Sequence, residues 1–215
     1  MHDKPAFRNV KNILFDFGGV IFDIDFKRCE QAFFELGLKD GKGFYAYFRE
    51  HRIFEKLETA TITEAKFRDC FRMFLPPGIT DDQIDMAWNA LLIDGPKERY
   101  DFLKSLKQRY RIFMLSNSNS IHFRHYLPDF RAKTGLNDFD QLFEKAYFSY
   151  RIGHKKPDAE SFQHVLNDSH LEPAETLFVD DSEENTLAAA KLGIRTLTWK
   201  PGDDLSNLLD YLCAS

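Results

Sequence analysis

Two kinds of apolar pattern alternate along the chain. Short uninterrupted runs occur at Asn12 to Phe17, Arg111 to Leu115, Ala146 to Ser149, Thr176 to Val179 and Ile194 to Thr198. Runs without apolar-polar alternation predict strands covered on both faces, as in a parallel sheet. Between them apolar residues recur at helical spacing. Pro96 suits a first helical turn and is followed by Tyr100, Leu103, Leu106 and Tyr110; Pro157 precedes Phe162, Val165 and Leu166. Ser182 is a good N-cap, Glu183 and Glu184 complement the positive helix end, and Gly193 is placed to close that helix at C′. From residue 96 onward the alternation predicts an α/β fold with a doubly wound, Rossmann-like parallel sheet.

The stretch from Asp25 to Leu92 breaks the alternation with four successive helix patterns and no convincing strand. Phe26, Cys29, Phe33 and Leu36 share a face that stops at Gly37, and Phe44, Tyr47 and Phe48 begin another. Thr63 can cap Phe67, Cys70, Phe71 and Phe74, while Thr80 and Gln83 predict a capping box ahead of Ala87, Trp88, Leu91 and Leu92. The division expected is therefore a core of residues 1–24 and 93–215, with residues 25–92 inserted after the first strand as a small four-helix cap.

Composition narrows the function classes. With 29 Lys and Arg against 34 Asp and Glu, the formal charge of −5 offers no basic excess for nucleic acid. At 43 % apolar and 29 % charged residues, the 215-residue chain can fill a globular core, and its 22 Phe add aromatic packing. Cys29, Cys70 and Cys213 are odd in number and contain no Cys-x-x-Cys pair, so no disulfide framework or zinc site is indicated. Met1 to Lys11 has no apolar signal-like core, and no apolar run approaches the roughly 20 residues that span a bilayer. The expected setting is the cytoplasm, without a membrane partner; oligomeric state is left open.

In open parallel sheets, ligands bind beyond the carboxyl ends of the strands. Asp16, Ser116 and the pair Asp180-Asp181 fall at those ends, and Lys156 stands just before a helix. Three converging carboxylates repel one another unless a cation lies between them, and hard oxygen donors favour Mg²⁺. Mg²⁺ held by few carboxylates and completed by substrate phosphate points to phosphoryl chemistry on a small phosphate ester. Ser116 and Lys156 supply a hydroxyl and a positive charge for the phosphoryl oxygens. Singly, each group has a plainer account as turn, cap, surface lysine or loop composition. Together, in order at the ends of alternating strands, they define a site.

These segments resemble the haloacid dehalogenase superfamily, in its branch of Mg²⁺-dependent phosphatases with a helical cap. Its four motifs stand here as Phe15-Asp16-Phe17-Gly18-Gly19-Val20, Leu115-Ser116-Asn117, Lys156-Pro157-Asp158 and Asp180-Asp181-Ser182-Glu183-Glu184-Asn185. The resemblance implies that Asp16 is the nucleophile forming an aspartyl-phosphate that water hydrolyses. It implies Mg²⁺ held by Asp16, the Gly18 carbonyl and Asp181, with Asp180 as a further or indirect ligand. It also implies phosphoryl binding by Ser116, the Asn117 amide and Lys156, with Asn185 orienting the acidic loop.

One position departs from the family pattern. Two residues after the nucleophile, where an aspartate ordinarily serves as acid and base, stands Gly18. General acid-base help contributes about 10²- to 10⁴-fold. The substrate then has a good leaving group, or Asp23, His122 or His51 supplies the proton, or the site binds without turnover. The glycine variant, with Asp23-Ile24-Asp25, Ser116-Asn117-Ser118-Asn119 and His122, resembles the bacterial α-D-glucose-1-phosphatase type and favours the first account. A non-catalytic metal- and phosphate-binding module, a phosphomutase and a dehalogenase are the alternatives. Elsewhere Arg49, His51, Arg52 and Lys56 read as a solvated helix face, Phe44, Phe48, Phe54, Phe67, Phe71 and Phe74 as core of the small domain, and Cys29 and Cys70 as small buried hydrophobes. His122, His125, His154, His164 and His170 have no shared metal-ligand spacing.

Overall fold

A computed structural model describes residues 7–200 and 202–212. Residues 1–6 of the N-terminal segment, and Cys213, lie outside the described residues. The strands are β1 (Asn12–Phe15), β2 (Asp23–Ile24), β3 (Leu92–Asp94), β4 (Arg111–Ser116), β5 (Lys145–Phe148), β6 (Thr176–Asp180) and β7 (Arg195–Thr198). Five of them form a parallel sheet in the order β5-β4-β1-β6-β7, the fold class that the apolar runs predict. Within β1, Ile13 and Phe15 join one buried cluster and Leu14 the other, so both sheet faces are covered and the strand carries no polar face.

Five helices separate β2 from β3: α1 (Phe26–Glu35), α2 (Gly41–Glu50), α3 (Ile53–Glu58), α4 (Glu64–Arg72) and α5 (Asp81–Asn89). The four-helix expectation is corrected at Arg52, whose left-handed backbone (φ 51°) ends one helical course and starts α3. The flanking strands were also not visible as a pattern. Asp23 and Ile24 pair antiparallel with Asp94 and Leu92, so a two-stranded ribbon brackets the helical insertion. The predicted caps are present, with Thr63 accepting from the Lys66 amide and Thr80 forming a reciprocal capping box with Gln83.

The helical insertion has its own apolar cluster. Phe44, Phe48, Phe67 and Phe71 are buried in it, Phe54 and Phe74 partly so, and Phe33 stacks on Phe71 with ring centroids 4.2 Å apart. Cys29 and Cys70 are buried there as well. Phe44, Phe54 and Phe71 also line a cavity of about 280 Å³, so the aromatic side chains are core and cavity wall at once.

The second half comprises α6 (Lys97–Leu106), α7 (Ser120–Thr134), α8 (Phe139–Leu142), α9 (Ser149–Ile152), α10 (Ala159–Asp168), α11 (Glu183–Ala190) and α12 (Leu208–Leu212). Gly193 takes a left-handed backbone (φ 81°), but two residues beyond the Lys191 C-cap rather than directly after it. Helix α7 starts at the Asn119 cap and joins the two halves of the molecule, because Ile121 in its first turn is buried in the cluster of the helical insertion. Glu64 at the start of α4 reinforces that joint: both carboxylate oxygens accept from Arg124, at 2.6 and 2.7 Å. These hydrogen bonds hold the Glu64 carboxyl down at about 2, against the opposing effect of its partial burial. No helix among the described residues is long and apolar enough to cross a membrane.

The insertion's cluster should be a discrete source of stability. Phe71→Ala removes a buried ring (1 % exposed) and should lower the unfolding free energy by about 3–5 kcal/mol, read from the urea midpoint at unchanged slope.

Candidate functional site

The sheet order brings the candidate residues together. Because β1 lies between β4 and β6, with Phe15 opposite Met114 and Val179, the chain leaves all three strands at one rim. Asp16 follows β1, Ser116 ends β4, and Asp180 ends β6 with Asp181 next. Lys156 reaches the same point from the segment between α9 and α10. It is 1 % exposed, and its Nζ donates to Asp16 Oδ1 at 2.6 Å and Asp180 Oδ2 at 2.7 Å.

Lys156 is positioned by its backbone. The Asn117 side chain donates to the Lys156 carbonyl at 2.8 Å and accepts from the Lys156 amide at 2.9 Å. The Asn117 carboxamide is thus committed to tying the ends of two segments, and only its backbone is left for a ligand. Ser149 does similar work, accepting from the Ser118 amide and donating to the Ser118 carbonyl, both at 3.0 Å. Nothing in the sequence pattern around Ser149 signals that role, which depends on β4 lying beside β5.

Both oxygens of Asp180 are engaged. Asp180 is fully buried, accepts from the Ser182 amide at 2.8 Å, and receives the Asn185 side chain at 3.1 Å on each oxygen. Asn185 therefore serves Asp180 and has its Nδ2 committed there. Asp181 is less enclosed. One oxygen from each of Asp16, Asp180 and Asp181 lies within 4.8 Å of the others, a spacing that can hold one ion. Gly19 makes this approach possible: its backbone is left-handed (φ 79°), and a side chain there would run into the Asp181 carboxylate.

The cluster carries three carboxylates against one ammonium. Burial pushes the Asp16 carboxyl up to about 7, Lys156 pulls it down, and Asp180 and Asp181 push it up further. Burial and Asp180 likewise raise Asp181. Lys156 is raised too, since the attraction of Asp16 and Asp180 outweighs the burial that opposes its charge. Excess negative charge, hard oxygen donors and close spacing fit a divalent cation such as Mg²⁺.

Gly18 and Ser116 line a cavity of about 100 Å³, with Asn117 beside them and Glu58, Trp88 and His122 among the facing residues. A larger cavity, about 640 Å³, is lined by Lys11, Arg111 and Glu144 near the opposite, amino-terminal ends of β1 and β4, remote from these groups. At Gly18 an added Cβ would lie 3.2 Å from Ile24 Cδ1, so β2 occupies the space beside the replaced carboxylate. Of the three candidate proton donors, Asp23 is committed to Arg99 at 2.7 Å, and His51 is an exposed residue tilted against the Tyr47 ring. His122 does line the cavity. Burial pushes it down to about 3, with His125 adding, so the ring is neutral; its Nδ1 lies 2.7 Å from Asn89 Oδ1 and must carry the hydrogen.

Residues of all four motifs thus gather at one rim of a parallel sheet, and the pattern of haloacid dehalogenase-like hydrolases matches residues 10–193. The chain belongs to this hydrolase family. A relative in the family, the D-ribitol-5-phosphate phosphatase of Bacteroides thetaiotaomicron, is 34 % identical over 197 residues, covering 91 % of this chain and 94 % of its own. A family enzyme of the same organism, solved with magnesium and inorganic phosphate, superposes with a TM-score of 0.84 at 38 % identity, covering 93 % of this chain and 98 % of that one. A HAD-like hydrolase from Porphyromonas gingivalis gives 0.81 at 28 % identity, over 96 % and 98 % of the two chains.

His122 is neutral when folded and binds a proton near 6.5 when unfolded, so its contribution is complete above pH 6.5 and is lost progressively as pH falls towards 3. From pH 6.5 to about pH 5, wild type should lose about 2 kcal/mol more unfolding free energy than His122→Gln, measured by urea titration.

Proposed function

We propose that this protein is a Mg²⁺-dependent phosphatase of small phosphomonoesters, with a sugar or polyol phosphate as its substrate and an aspartyl-phosphate at Asp16 as its intermediate. The observation that carries this reading is the Lys156 ammonium buried against Asp16 and Asp180, with Asp181 completing a three-carboxylate cluster. The magnesium-and-phosphate complex of the similar enzyme and the named activity of the phosphatase relative support it.

In this reading Asp16, the Gly18 carbonyl and Asp181 hold the ion, and Asp180 acts by holding Lys156. Bound Mg²⁺ supplies positive charge to phosphoryl oxygens and lets the acidic residues approach them. An Asp16 oxygen forms a bond to phosphorus as the bond from phosphorus to the alcohol oxygen breaks. Lys156 keeps Asp16 ionised and attracts the phosphoryl group, while Ser116 and the Asn117 amide donate to its oxygens. Water then cleaves the acyl phosphate, releasing inorganic phosphate and restoring the carboxylate. The neutral His122, its Nδ1 hydrogen committed to Asn89, offers Nε2 as a hydrogen-bond acceptor to that water, whose proton leaves with the inorganic phosphate. With Gly18 and Ile24 where an acid would stand, the alcohol departs without a proton from the enzyme and takes one from solvent once the cap reopens. Residues 25–92 act as a cap that keeps bulk water from the phosphoryl group during the first step.

Asp16→Asn should lower kcat at least about 10³-fold on any phosphomonoester, and EDTA should abolish turnover until Mg²⁺ is restored. Binding of Mg²⁺ and phosphate without hydrolysis across sugar, polyol, nucleotide and acyl phosphates would replace this reading with a binding module. Lacking a general acid, the enzyme should turn over phosphates with good leaving groups, such as aryl phosphates or α-D-glucose 1-phosphate, about 10²-fold faster than alkyl phosphates at saturation.

A further inference from the structure

The 100 Å³ cavity has two chemically different sides. Gly18, Ser116 and Asn117 belong to the phosphoryl end, so the alcohol half of a substrate must face the wall formed by Glu58, Trp88 and His122. That wall has no Lys or Arg among the residues lining the cavity. Trp88 is clamped between Phe54 and His122, with centroids 5.3 and 4.8 Å away and rings nearly parallel, so the wall is stiff and largely apolar. Its one carboxylate is that of Glu58, the last residue of α3.

Glu58 is held in place from outside the cavity. Lys155 Nζ donates to Glu58 Oε2 at 2.6 Å, with each side chain only about one-fifth exposed (19 % and 23 %), and Lys155 itself does not line the cavity. The second oxygen, Oε1, receives no hydrogen bond from the described residues. A partly buried carboxylate oxygen with an open lone pair is a strong acceptor for a hydroxyl. The same oxygen disfavours any second anion brought against it in a site of low dielectric. His122 adds a neutral acceptor, since its one ring hydrogen is spent on Asn89.

We propose that Glu58 determines substrate class in this site: it accepts a hydroxyl of an uncharged polyol or sugar and turns away phosphomonoesters that carry a second anionic group. This rests on the phosphatase reading above. It also assigns Lys155 a purpose distinct from that of Lys156, as the residue that holds the selecting carboxylate in position.

The test uses a matched pair of substrates, D-ribitol 5-phosphate and 5-phospho-D-ribonate, which differ in a terminal CH₂OH against a carboxylate. Steady-state kcat/KM is measured with Mg²⁺ for wild type, Glu58→Gln and Glu58→Ala. Wild type should prefer the polyol by at least about tenfold. Glu58→Gln, which keeps size and an acceptor oxygen but removes the charge, should raise kcat/KM for the carboxylated substrate about tenfold and lower it for the polyol. Glu58→Ala should lower the polyol value further, at least about tenfold. Opposite signs on the two substrates are the signature, because a merely structural Glu58-Lys155 bridge would lower both alike. Equal losses on both, or an unchanged ratio, overturn the role of Glu58 while leaving the phosphatase reading intact. Failure of the wild-type chain to hydrolyse even an aryl phosphate overturns both.

Discussion

A lysine with almost no solvent contact, bonded to two carboxylates at the ends of neighbouring strands, is the constraint on which the candidate site depends. Lys156 cannot sit at the sheet's rim as an isolated cation, because burying an unpaired ammonium is prohibitively costly. It is tolerated because Asp16 and Asp180 meet it at hydrogen-bond distance, and those two meet because β1 and β6 are neighbours in the sheet. Asn117 completes the arrangement by gripping the Lys156 backbone from the end of β4. Removing any of these segments would leave an uncompensated charge in a dry place.

The acidic excess on the other side of that lysine is the counterpart. One ammonium offsets one of three carboxylates, and burial, with the remaining negative charge adding to it, raises Asp16 and Asp181 in the protein alone. A site in this state is built to receive positive charge, and a phosphoryl dianion can approach Asp16 only in the company of a cation. Gly19 is the backbone condition for this chemistry, since only a residue without a side chain lets the first and last motifs come so close.

The helical insertion contributes rigidity and selectivity together. Its aromatic cluster has its own packing, yet Ile121 of α7 is embedded in it and the Glu64-Arg124 pair bolts its edge to the same helix. The stack of Phe54, Trp88 and His122 continues that packing to the cavity beside Gly18. Glu58 and His122 therefore face the site from elements whose positions are set by bulk packing, and the wall is formed before any ligand arrives.

The five strands of the sheet, the strand-end location of Asp16, Ser116, Asp180 and Asp181, the helical character of residues 25–92 and the caps at Thr63, Thr80 and Ser182 were legible in the sequence. Each depends on local periodicity or on residues within a turn of one another, where spacing along the chain equals spacing in the fold. The break at Arg52, the ribbon of Asp23–Ile24 with Leu92–Asp94, and the roles of Ser149 and Glu58 were not. A left-handed residue that is not glycine carries no compositional mark, and a two-residue strand is too short to show a period. The tautomer of His122 depends on Asn89, 33 positions away, and the partner of Glu58 stands 97 positions along the chain. Sequence alone determined which chemical groups reach the rim of the sheet; tertiary packing decided which of them touch, because contacts between distant segments are set by strand order and helix docking rather than by any pattern along the chain.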